Sequence, residues 1–183
     1  MIVAVGGPPG SGKTTAADLY ARTYGAEFIS GGRLFREMAA ERGMDLVAFG
    51  AYAEQHHDVD RQLDGMILAA VRKASSTGRD VVVDGRIQAH LLARAHIEAY
   101  GVLVTAPVEV RAKRVADREG KSEKAALEEI VTRERSERAR YRAIYGIDLD
   151  DMGVFALHID SAQLRPEAIV KRMHEGATAW ARA

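Results

Sequence analysis

Gly7-Pro8-Pro9-Gly10-Ser11-Gly12-Lys13-Thr14, followed by Thr15, satisfies the pattern G-x-x-x-x-G-K-[ST] in full. Glycines in such a run let the backbone turn tightly and bring its N–H groups close to a phosphate. Lys13 adds a point charge that reaches β- and γ-phosphates, and the Thr14 hydroxyl is a magnesium ligand by type. The context suits that chemistry. Ile2-Val3-Ala4-Val5 reads as a strand buried on both faces, and a helical stretch over Lys13 to Tyr24 ends at Gly25. Strand, glycine loop and helix in that order form a phosphate cradle.

Three more groups of residues bear on what becomes of the phosphate. Asp84 ends the apolar run Val81-Val82-Val83 and should emerge at the carboxyl edge of a sheet. There it would hold magnesium through water or orient Gly85-Arg86. Arg33 and Arg36 share a helix face; Arg33 reads as solvent-facing, whereas Arg36 and Arg86 would converge on a second phosphate as planar, bidentate donors. Arg114 and Arg118 stand four apart, and Arg133 and Arg140 seven apart, so each pair keeps to one helix face. Their helices meet at Glu119-Gly120-Lys121-Ser122, the pattern of a hinged lid that closes over a phosphate donor.

These groups need elements to carry them. Further strands are expected at Glu27–Ile29, 101–104 and 154–159. Helices are expected near 33–42, 45–55, 59–75, 88–99, 108–118, 124–144 and 166–181. Strands separated by helices imply a parallel sheet covered on both faces, an α/β fold in a single domain spanning 1–183.

Composition limits the alternatives. Hydrophobic residues make up 47% of the 183 and charged residues 28%, an ordinary globular mixture. Lys plus Arg and Asp plus Glu both number 26, and the absence of a basic excess disfavours nucleic acid as a partner. The basic charge is local: from Arg111 to Arg142, eleven Lys or Arg face seven acids. With no cysteine, thiolate catalysis and Cys-based zinc sites are excluded. The opening apolar run is too short for a signal peptide, and no segment approaches the roughly 20 apolar residues of a spanning helix. A cytoplasmic monomer acting on small molecules, with no membrane partner, is the expectation. His56-His57 lacks the H-E-x-x-H spacing and reads as surface.

The ordered set of motifs resembles the nucleoside monophosphate kinases, and most closely their archaeal-type cytidylate kinase branch. The likeness runs from the phosphate loop through Ser30 to Glu37, Asp58 to Asp64, Asp84-Gly85-Arg86, Arg118 to Ser122 and Arg140 to Asp148. It implies a P-loop kinase fold with five parallel strands in the order 2-3-1-4-5, an acceptor-binding segment at about 30–77 and a lid at about 114–142. It also implies ATP and magnesium as donor and cofactor, with CMP or dCMP as acceptor. Arg36 and Arg86 would grip the acceptor phosphate, with Ser30, Asp60, Arg61, Asp64, Asp84 and Gly85 in the acceptor region. Asp60 or Asp64 would read cytosine. Arg133 and Arg140 would serve the transferring group, with Arg114 and Arg118 on the ATP side. The chain departs from the family pattern at Gly65-Met66 and at Ile87-Gln88-Ala89-His90, both on the acceptor side. Another acceptor of the same fold class, such as AMP, UMP or a non-nucleotide, is the nearest alternative. A nucleotide-binding switch without chemistry stands further off.

Overall fold

The computed structural model describes residues 1–183. Strands β1 (Ile2–Gly6), β2 (Glu27–Ser30), β3 (Val81–Gly85), β4 (Tyr100–Thr105) and β5 (Leu157–Asp160) form one sheet. All its pairings are parallel, in the order β2-β3-β1-β4-β5. Helices α1 (Lys13–Tyr24), α2 (Gly31–Glu41), α3 (Leu46–Gln55), α4 (His57–Ser76), α5 (Gln88–Arg94), α6 (Val108–Glu119), α7 (Glu123–Tyr145) and α8 (Pro166–Trp180) complete the chain. No helix is long and apolar enough to cross a membrane.

The apolar strands divide their side chains between two cores by the twofold period of a strand. Ile2, Ala4, Val81, Val83 and Leu103 face one core, under α2, α3 and α4. Val3, Val5, Val82, Val102 and Val104 face the other, closed by α1 and α8. A run with no polar alternation is what two buried faces require.

Register then sets the site. Val5 pairs with Asp84 and Gly6 with Gly85, while Ser30 pairs with Asp84 from the other side. The strand ends that carry the motifs therefore reach the carboxyl edge side by side. Strand order also reverses there, because β1 leads through α1 to β2 on one side while the neighbouring β3 leads through α5 to β4 on the other, and that crevice is where open α/β sheets bind ligands.

Two elements are shorter than the sequence suggests. Residues 154–156 are not strand: a Cβ on Gly101 would lie 2.1 Å from the Val154 carbonyl oxygen, so the chain crosses over that glycine before pairing. The ladder starts only where Leu157 meets Val102. Helix α5 stops at Arg94 because His96 takes a φ of 53° and the Ile97 N–H bonds back to the Leu92 carbonyl at 2.9 Å, which turns the chain into β4.

Candidate active site

A cavity of about 380 Å³ opens at the carboxyl edge of the sheet. The phosphate loop forms its floor, α2 and the end of β3 one wall, and α6 and α7 the other. Gly10 and Gly12 in the loop take φ of 78° and 86°, a region costly for any residue with a Cβ. Gly12 N-caps α1 with no side chain in the way, so the first N–H groups of that helix stay free for an anion.

Lys13 lies at the start of α1 and its ammonium donates to the Pro8 carbonyl at 3.3 Å. Burial lowers its pKa to about 8, against the opposing pull of the Asp84 carboxylate. Thr14 Oγ1 donates to Asp84 Oδ2 at 2.5 Å, and the other Asp84 oxygen, Oδ1, is buried without a partner. An orphaned carboxylate oxygen beside a hydroxyl is a hard-oxygen donor set suited to magnesium. No cluster of three or more His, Asp or Glu side chains forms a metal cage of its own, so such an ion would depend on ligand phosphates as well.

Cations converge on the other side of the cavity. Arg36, Arg86, Arg114, Arg118, Arg133 and Arg140 all line it. Arg86 and Arg133 share a counter-ion that the sequence reading passed over, Glu137. Its carboxylate accepts from Arg86 Nε at 2.6 Å and stands 3.8 Å from Arg133. Burial alone would push this carboxyl up, but the surrounding cations, Arg86 first, hold it below the ordinary range. Glu137 lies four residues after Arg133 and three before Arg140. That spacing puts it on their helix face, so it could have been found.

Arg140 points into the wall. It is 3% exposed and bonds Asp60 at 2.8 Å and Ser136 at 2.8 Å. Asp60 and Asp64 do not line the cavity. Asp64 accepts from the Tyr145 hydroxyl at 2.8 Å, and burial raises its pKa to about 7. Of their two bonded partners, only Arg140 lines the cavity, so an effect of Asp60 on a ligand passes through Arg140. Arg61 is exposed on α4 and outside the cavity, and Arg33 pairs with Glu37 in solvent, 3.6 Å away. Ser30 acts as the N-cap of α2, accepting from the Arg33 N–H. Pro9 through Thr15 line the cavity with Asp84 and Gly85, whereas Gly7 and Pro8 do not.

Two further residues were not foreseen. Arg111 is buried and bonds the Pro9 carbonyl at 3.1 Å and Glu134 at 2.5 Å, which ties the phosphate loop to α7. Ser161 accepts from Arg114 at 2.9 Å and donates to the Ser11 carbonyl at 2.7 Å. Nothing local in the sequence marks Ser161, because its partners lie about 50 and 150 residues away in the chain.

This arrangement has known relatives. The model of the cytidylate kinase-like family matches residues 2–163. A cytidylate kinase of Methanocaldococcus jannaschii is 39% identical over 170 residues, 92% of this chain and 93% of the relative. One from Pyrobaculum aerophilum is 43% identical over 164 residues, 90% of this chain and 85% of the relative. Among solved structures, an uncharacterized protein from Eubacterium ventriosum superimposes with a TM-score of 0.71 at 18% identity, covering 97% of this chain and 98% of that one. A shikimate kinase from Bacteroides thetaiotaomicron gives 0.60 at 15% identity, covering 96% and 97%. Those two show the fold, five parallel strands flanked by helices in the P-loop kinase manner. The family match and the sequence relatives, each spanning most of the chain, make this protein a member of the cytidylate kinase-like family.

Proposed function

We propose that the protein transfers the γ-phosphoryl group of ATP to CMP or dCMP, giving ADP and CDP or dCDP. The observation that carries this reading is one cavity lined both by the phosphate loop with Lys13 and by Arg36 and Arg86, cations enough for two phosphate groups. Family membership supplies the acceptor class.

The chemistry asks for positioning and charge stabilisation. The attacking atom is an oxygen of the acceptor phosphate, ionised at neutral pH, so no general base is needed. The phosphate loop, Gly7 through Thr15, wraps the donor phosphates, and Lys13 follows charge as it develops on the transferring group. Arg36 and Arg86 hold the acceptor phosphate, Ser30 shapes the start of its helix, and Arg114 and Arg118 hold the ATP side. Arg133, on the lid helix, serves the transferring group, whereas Arg140, held by Asp60 and Ser136, stiffens that helix from within the wall. Arg86 and Arg133 exchange Glu137 for phosphate as ligands enter, which keeps the charge of the cleft balanced in both states. Asp60 and Asp64 support the acceptor wall from behind, whereas Arg61 stays in solvent. Thr14 and Asp84 would hold magnesium, which when bound neutralises phosphate charge. The protein acts as a cytoplasmic monomer in this reading.

The test is ADP release with ATP and magnesium against CMP, dCMP, UMP, AMP, GMP, TMP and no acceptor. Preference for CMP or dCMP is expected. Preference for a different acceptor overturns the base assignment, and ATP binding without any acceptor-dependent release overturns the reaction.

A further inference from the structure

Gly31 and Gly85 have no left-handed backbone angle, so conformation does not require glycine at either place. Space does. A Cβ on Gly85 would lie 1.7 Å from Gln88 Oε1 and 2.8 Å from its Nε2. One on Gly31 would lie 3.1 Å from the same Nε2 and 3.2 Å from Ile67 Cδ1. The Gln88 amide thus fills the notch left by two glycines, between the end of β3 and the start of α2.

The seat also orients it. The Ile87 N–H donates to Gln88 Oε1 at 3.1 Å, which occupies the oxygen and turns the nitrogen the other way. Gln88 is only 5% exposed, yet Nε2 has no protein acceptor and the residue lines the cavity. An amide nitrogen at a cavity wall that no protein group accepts from is free to donate to a ligand.

Resting on the function proposed above, we infer that Gln88 is a specificity-determining residue that donates an N–H to the base of the acceptor nucleotide, at a ring carbonyl or ring nitrogen. Cytosine offers both kinds of acceptor, at O2 and N3. A phosphate is the poorer partner here. Phosphate in this cavity is matched by guanidinium groups such as Arg86, two residues earlier, whereas the Gln88 notch adjoins Ile67, and the cavity wall carries Phe35 and Leu63 from the flanking helices. A neutral donor beside an apolar wall suits a flat, uncharged ring.

The experiment measures binding of CMP and of ribose 5-phosphate, which lacks the base, to wild type, Gln88→Leu and Gln88→Met by calorimetry. Gln88→Met keeps the length of the side chain and adds no charge while removing the donor, so it tests the idea even where the leucine variant fails to fold. The expected result is a CMP affinity about tenfold weaker or worse in both variants, for a lost bond that leaves a buried acceptor unpaired, with ribose 5-phosphate affinity unchanged. Unchanged CMP affinity, or equal losses for both ligands, overturns the inference. Wild-type protein that binds ribose 5-phosphate and not CMP removes the parent reading, and this inference with it.

Discussion

Lys13 and Glu137 carry opposite charges into one cavity, and their surroundings set different fates for them. Burial lowers the Lys13 pKa to about 8, so incoming phosphates offset the cost of keeping its charge in the cavity. Lys13→Ala should reduce kcat by about 100-fold or more, the scale for losing one preorganised donor to developing charge, with the melting temperature retained. A variant of near wild-type turnover would take Lys13 out of the chemistry. Asp64 offers a test in pH. Its folded pKa is about 7, raised by burial, against about 3.9 in an unfolded chain. Between those values the folded state keeps a proton that the unfolded state has released. The stability from this group is therefore present in full below about pH 4 and is lost as pH rises through 7. Asp64→Asn removes that slope, so urea unfolding at pH 5 and pH 7.5 should favour the variant, relative to wild type, more at the higher pH. An equal difference at both would count against a raised pKa. At this scale the sequence was partly legible: the loop residues are contiguous, and the arginine pairs follow helical spacing. The bond between Arg86 and Glu137 joins residues 51 apart, and no local pattern records it.

The elements owe their ends to short-range signals. Ser122 accepts from the Ala125 N–H at 3.2 Å and starts α7, while Gly120 closes α6 with a φ of 65°. A serine two residues after a glycine was readable as a break between helices. Ser122→Ala should cost about 1 kcal/mol in unfolding free energy, the usual worth of an N-cap, measured by chemical denaturation; no loss would show that α7 is held by packing alone. Where an element's end depended on a distant contact, the sequence misled. The late start of β5 follows from the chain crossing Gly101, a steric event between segments more than 50 residues apart.

Across the whole molecule, α4 and α7 are joined by Arg140 and Asp60, 3% and 1% exposed. The pair is buried where α4 meets α7, so it ties these two helices together beside the cleft. Asp60→Asn leaves the guanidinium buried with its counter-charge gone and should destabilise the fold by about 3–5 kcal/mol, the cost of breaking a buried pair from one side. Thermal unfolding of the variant checks this. A cost below about 1 kcal/mol would mean the pair behaves as a surface bridge.

The sequence by itself determined the phosphate loop, the parallel α/β architecture and the arginines of the cleft, because each depends on neighbouring residues or on the periods of helix and strand. Only the tertiary structure decided which charges meet. It set Glu137 among the arginines, turned Asp60 and Asp64 away from the cavity and seated the Gln88 amide between two glycines. Those outcomes depend on strand register and helix packing, which bring together residues tens of positions apart. Local propensity carries no term for such pairs, whereas in the folded chain their desolvation and hydrogen bonding determine which groups remain available to a ligand.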